Sequence, residues 1–176
     1  MTNAELAILS LIAEAPRHGY EIEQTIEVRG MRAWTEIGFS SIYYLLKKLE
    51  KAGMVESELI PTQGRGKARR IFQITSDGRV ALKEATLEAL THPKNSFPPI
   101  LLGIANLPVV SQEQALGALR SYRDGLAEKL EVVAMRAKSQ SPLPDHVDIL
   151  FDYSLAMIKA EKNWIETTIQ RIKRED

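Results

Sequence analysis

Two apolar rhythms meet at Gly53, and their junction limits what this chain can fold into. Upstream, Ile42, Leu45, Leu46 and Leu49 recur at spacings of three and four, which predicts a helix over about Ser40–Ala52 that buries one stripe. Gly53 then ends it as a left-handed cap. Downstream, Met54–Ile60 and Arg69–Ile74 read as two strands around a turn from Pro61 to Lys67. Phe72 and Ile74 share one strand face, as expected of a hairpin rooted in a core. Arg70 shares that face, so its charge is expected to snorkel at the core edge.

The elements on either side extend the pattern. Thr2-x-x-Glu5 has the form of a capping box, and Leu6, Leu9, Ile12 and Ala13 follow at helical spacing until Pro16 stops them. A second helix starts near His18-Gly19-Tyr20, buries Ile22 and Ile26, and ends at Gly30. Thr75-Ser76-Asp77-Gly78 caps a fourth helix that runs to about Leu90. The order helix, helix, helix, strand, strand, helix is that of a winged helix-turn-helix: a mainly α fold with a small two-stranded wing. The three prolines between His92 and Pro99 mark a composition break. The expected organisation is a winged-helix domain over 1–90, a linker over 91–99 and a helical dimerisation domain over 100–176.

Charge separates along the chain even though the formal net charge is zero. Residues 1–37 carry three Lys/Arg against six Asp/Glu, and residues 38–74 carry seven against three. The basic excess therefore sits on the third helix and the hairpin, where a nucleic-acid footprint would lie. Ser40, Ser41, Tyr43, Tyr44, Lys47 and Lys48 occupy the polar side of the helix. The serine hydroxyls and free N–H groups at its start suit phosphates, and the two lysines suit phosphate contact that positions without reading sequence. Arg65, Lys67 and Arg69 at the wing have the glycines of a tight turn beside them and the charge that a narrow minor groove attracts. A lysine-rich helix or a basic hairpin alone is usually a solvated surface; the two in this order are more specific. Tyr43 and Tyr44 stand between core and DNA contact.

In the C-terminal half a short helix is expected over Ile100–Leu107. Ser111-x-x-Gln114 opens a long helix to about Ser139, with Leu116, Leu119, Leu126, Leu130, Val133 and Ala137 at heptad spacing. Beyond Pro142 and Pro144, a last helix from Asp145 to about Ile172 carries two apolar stripes. One comprises Leu150, Tyr153, Met157, Ala160 and Trp164; the other Phe151, Leu155, Ile158, Ile165, Ile169 and Ile172. A helix apolar on two faces needs two neighbours. The first stripe is accordingly expected at a homodimer interface, the alternative being a bundle that satisfies both stripes within one chain. Trp34 and Phe151 are candidate walls of a small-molecule effector pocket between the two domains, against the plainer reading of core aromatics.

Several classes are excluded. Cysteine is absent, so there is neither a disulfide framework nor a thiolate metal site. His18, His92 and His146 lie outside any metal-ligand spacing, and His18 reads as a helix-start residue. Gly64-x-Gly66 lacks the rest of a phosphate-binding loop. No enzyme constellation, metal or cofactor is expected. The opening Met1–Glu5 lacks the basic and apolar regions of a secretory signal, and no apolar run reaches membrane-span length, which predicts a soluble cytoplasmic protein.

The same residues resemble the PadR family of bacterial transcriptional regulators. The resemblance covers residues 1–85 and rests on Ile8-Leu9-Ser10-Leu11 with Pro16-Arg17-His18-Gly19-Tyr20-Glu21-Ile22, and on Ser41-Ile42-Tyr43 with Leu46, Leu49-Glu50 and Gly53. Arg69-x-x-Phe72-x-Ile74-Thr75 and Gly78-x-x-x-Leu82 complete it. Lys67 stands where a proline is usual and Phe72 replaces a frequent tyrosine. The resemblance implies a homodimer on a pseudo-palindromic double-stranded operator, repressing or less often activating transcription, with small-molecule effectors in some members. The C-terminal half is similar in architecture and length to the branch with a helical C-terminal domain, that of the virulence regulator AphA. The competing reading is a winged-helix protein-interaction module that binds no DNA.

Overall fold

Helix α1 (Asn3–Glu14) begins where Thr2 and Glu5 satisfy each other's backbone. The Thr2 hydroxyl accepts from the Glu5 N–H at 3.2 Å, and the Glu5 carboxylate accepts from the Thr2 N–H at 2.8 Å. Two of the donors a helix start leaves unpaired are thereby used. Ile8, Leu9, Leu11 and Ile12 are almost fully buried, so α1 is the central helix of its unit and packs on α3 and α4. Ala15, which precedes Pro16, turns extended and ends it. The computed structural model describes residues 1–35, 37–38, 41–61 and 68–174, and the chain divides into two units, Met1–Asn95 and Ser96–Asp176.

In the first unit α1 is followed by β1 (Arg17–His18), α2 (Gly19–Val28), a 3-10 turn at Met31–Ala33, α3 (Ile42–Lys51), β2 (Val55–Ile60), β3 (Arg69–Ile74) and α4 (Ser76–Thr91). One core joins α1 to Ile22 and Ile26 of α2, Val55 and Phe72 of the sheet, and all four residues of the α3 stripe, Ile42, Leu45, Leu46 and Leu49. Each such side chain contributes roughly 2 kcal/mol by leaving water. Gly53 at φ 71° ends α3: its N–H donates to the Glu50 carbonyl and that of Met54 to the Leu49 carbonyl, both at 3.0 Å. That pair of bonds is a Schellman closure.

The wing differs from the expected pair of strands. β1 joins β3 antiparallel, Arg17 opposite Phe72 and His18 opposite Ile71, giving a three-stranded sheet in the order β1-β3-β2. Two residues carry no periodicity, so β1 had no signal of its own. Arg17 fastens it, donating to the Leu11 carbonyl of α1 at 3.1 Å, to Glu14 at 3.1 Å and to the Thr25 hydroxyl at 3.2 Å. The β2–β3 register runs from Val55 opposite Ile74 to Ile60 opposite Arg69. Beyond the core the hairpin is exposed at Leu59 and Ile60.

The second unit contains α5 (Pro99–Ala105), a 3-10 turn at Leu107–Val109, α6 (Gln112–Ser139) and α7 (Asp145–Arg174). Ser111 and Gln114 form the expected capping box. Leu119 and Leu126 of α6 bury against Ile158, Ile165 and Ile169 of α7, flanked by Leu116, Leu130, Val133 and Ile172. The helices run antiparallel, the Gln112 side chain donating to the Ile172 carbonyl at 2.9 Å. The Tyr122 hydroxyl donates to Glu161 at 2.7 Å; burial and then this bond push the phenol up to about 12. Ala115, outside the expected seam, is also buried.

Candidate nucleic-acid interface

The polar side of α3 follows from the burial of its stripe. With Ile42, Leu45, Leu46 and Leu49 inward, Tyr43, Tyr44, Lys47, Lys48 and Lys51 are exposed. Tyr43 (58%) and Tyr44 (67%) are exposed, so neither ring is core. The Ser41 hydroxyl donates to the Gly38 carbonyl at 2.7 Å and makes no cap to α3. Ser40, Arg65 and Lys67 lie outside the described residues.

Tyr43 and Lys47, one turn apart, wall a cleft of about 650 Å³. Arg69, Arg70 and Phe72 of β3 line it too, as do His18, Tyr20, Glu21 and Gln24 around the start of α2. The structure thus brings three of the expected residues, Tyr43, Lys47 and Arg69, around one concavity. Among the described residues, no carboxylate lies within ion-pair distance of Lys47 or Arg69.

Two cations of the same face are engaged elsewhere. Lys48 meets the Glu5 carboxylate at 2.5 Å, and Glu5 is buried to 7% exposure. The Lys48 hydrogen bond, then that from the Thr2 N–H, holds the Glu5 carboxyl below its ordinary value, outweighing burial. Lys48 therefore ties the end of α3 to the start of α1 and stands apart from the cleft. Arg70 borders the cleft but turns its guanidinium to Glu50 at 3.4 Å, while Glu50 also accepts from the Ser57 hydroxyl.

The α2 wall was not anticipated as part of the site. His18 caps α2: its Nδ1 accepts from the Glu21 N–H at 3.2 Å, and the Glu21 carboxylate accepts from the His18 N–H at 3.0 Å. The accepting Nδ1 leaves the ring proton on Nε2. The ring stacks on Tyr20, centroids 6.2 Å apart, and Gln24 donates to the Tyr20 hydroxyl at 3.0 Å. Tyr20 and Gln24 lie one turn apart, off the stripe of Ile22 and Ile26; an exposed tyrosine beside a helix start was the available signal.

On α7 the stripe Leu150, Tyr153, Met157, Ala160 and Trp164 is exposed, while the stripe around Ile158 and Ile165 is the one α6 covers. Trp34 is exposed in the first unit and Phe151 half-buried in the second; the cleft includes neither. No helix of the described residues is long and apolar enough to cross a membrane.

A model of the transcriptional regulator PadR-like family matches residues 8–84. An uncharacterised protein of Lysinibacillus sphaericus is 36% identical over 81 residues, 46% of this chain and 72% of that protein. Among solved structures, Bacillus subtilis PadR in complex with operator DNA is similar at a TM-score of 0.79 and 20% identity, over 96% of this chain and 98% of that one. The same protein in complex with p-coumaric acid is similar at 0.77 and 19%, over 96% and 98%. A PadR-like regulator from Bacillus cereus is similar at 0.72 and 14%, over 98% and 99%. At these identities the solved structures establish the shared fold.

Proposed function

This chain belongs to the PadR-like family of transcriptional regulators, and from that premise we propose that it is a homodimeric, sequence-specific DNA-binding repressor. The observation that carries the reading is the cleft that Tyr43 and Lys47 of α3 line together with Arg69 of the wing strand. A recognition helix enters the major groove with its N-terminal residues at the base edges. Ser41, Tyr43 and Tyr44 stand at that end of α3 and Ser40 precedes them in the sequence; their hydroxyls bond bases or phosphates. Lys47 neutralises a phosphate, and Arg65, Lys67 and Arg69 hold the wing on the backbone or minor groove. Lys48 contributes mainly by fixing α3 against Glu5.

Dimerisation uses the exposed stripe of α7. Leu150, Tyr153, Met157 and Trp164 are 42–67% exposed in the single chain, an apolar stripe of the kind an interface covers. A two-fold dimer would present two α3 helices to half-sites about 34 Å apart. Crystallisation of Bacillus subtilis PadR with p-coumaric acid supports a small aromatic effector here too, with Trp34 and Phe151 as the side chains to probe.

The test is salt-dependent binding to a fluorescent duplex from the protein's own promoter region. Replacing Arg65 and Lys67 together by alanine is expected to weaken binding and reduce the log–log salt slope by about two units, one per lost phosphate contact. An unchanged slope excludes the wing from the backbone, and failure of the unmodified protein to bind the duplex favours the interaction-module reading.

A further inference from the structure

Gly19 is the first residue of α2, and its lack of a side chain has a particular neighbour. A Cβ there would lie 2.6 Å from Cε1 of Tyr43, 3.0 Å from Cζ and 3.3 Å from Cδ1, distances at which carbon atoms repel. The backbone does not require glycine: the positive φ values of this chain's described glycines are at Gly30 and Gly53. Glycine at 19 lets the Tyr43 ring lie directly on the α2 start. The ring is 58% exposed, so it can swing away without disturbing the core.

We infer that Gly19 is a positioning residue that sets the pose of Tyr43 in the cleft and, through it, operator discrimination. The inference rests on the DNA-binding reading above. Lys47, Arg69 and Arg70 line the same cleft; a ring pressed onto α2 leaves that cleft to a nucleic-acid strand. A ring displaced by a methyl group moves off α2 and changes where its hydroxyl sits. The energetic burden then falls on recognition and not on folding.

A double-mutant cycle on the full chain separates these roles. Wild type, Gly19→Ala, Tyr43→Ala and the double variant are each titrated against the promoter duplex and a scrambled duplex of equal length, and each is melted. Gly19→Ala is expected to reduce the preference for the promoter duplex about tenfold, the scale of one misplaced base contact. Its Tm should be unchanged or slightly higher, since alanine favours the helix. With Tyr43→Ala already present, Gly19→Ala should change that preference less than about twofold.

Equal losses in both backgrounds overturn the inference, because Gly19 would then act other than through the ring. No loss beside an intact Tyr43, or a lowered Tm, overturns it as well. If Tyr43→Ala itself leaves the preference intact while the wild type binds, only the role of Tyr43 fails and the DNA-binding reading stands. A wild-type protein without preference for the promoter duplex removes the sequence-specific reading and this inference together.

Discussion

Replacing Gly78 by alanine should unfold the first unit far more readily than one methyl group suggests. Thr75 caps α4 by accepting from the Gly78 N–H at 3.0 Å, and its own N–H donates to the Met54 carbonyl at 3.1 Å. Its hydroxyl donates to the Gly53 carbonyl at 2.7 Å. These bonds draw α4 onto the turn between α3 and β2 so closely that a Cβ on Gly78 would sit 2.0 Å from the Met54 carbonyl oxygen and 2.8 Å from Cγ1 of Ile74. Carbon and carbonyl oxygen settle at about 3.3 Å, so backbone must part from backbone by about 1.3 Å. Such overpacking costs about 1–3 kcal/mol. One broken hydrogen bond adds about 1 kcal/mol, and the better helix propensity of alanine returns about 0.5 kcal/mol. A net loss of about 2.5 kcal/mol lowers the Tm of a unit this size by roughly 15 °C.

Thermal and urea unfolding followed by Trp34 fluorescence in a Trp164→Phe background reads the first unit specifically. The urea midpoint should fall without a change in slope. A Tm within about 2 °C of the parent refutes the close-approach reasoning. The contrast with Gly19→Ala is physical: one added methyl meets backbone that is bonded in place, the other an exposed ring that can move.

Three further outcomes follow from the packing. The folded state holds the Glu5 carboxyl below its ordinary value of 4.5, so its contribution to stability is full above the unfolded value and is lost as pH falls through the folded one. Glu5→Gln should lower the Tm at pH 7 and flatten the acid limb below about pH 4.5, the two proteins converging there; parallel pH curves would remove the Lys48 pairing from the account. On α7, Met157→Glu with Trp164→Glu should give a folded monomer by light scattering with melting of α6 and α7 little changed. Ile165→Ala, at a fully buried site, should cost about 3 kcal/mol. A dimer that survives both charges assigns the interface to another face.

Most of the elements of this protein were legible because they depend on near neighbours in the chain. The Thr2–Glu5 and Ser111–Gln114 boxes, the Schellman closure at Gly53 and the core stripe of α3 each need only a fixed spacing of residue types. Membership of the PadR-like family is likewise carried by residues 8–84. What local patterns could not supply was pairing between segments distant in sequence. Arg17 and His18 became a strand only because β3 offers them an edge. The same alternation that filled the helix stripes left Lys47 and Lys48 equivalent, and tertiary contact separated them by bringing buried Glu5 to Lys48 and the cleft to Lys47. Two stripes on α7 were visible by period, but which one α6 would cover depended on the helix pairing in space. Periodicity states which residues share a face; only packing selects the neighbour that face meets.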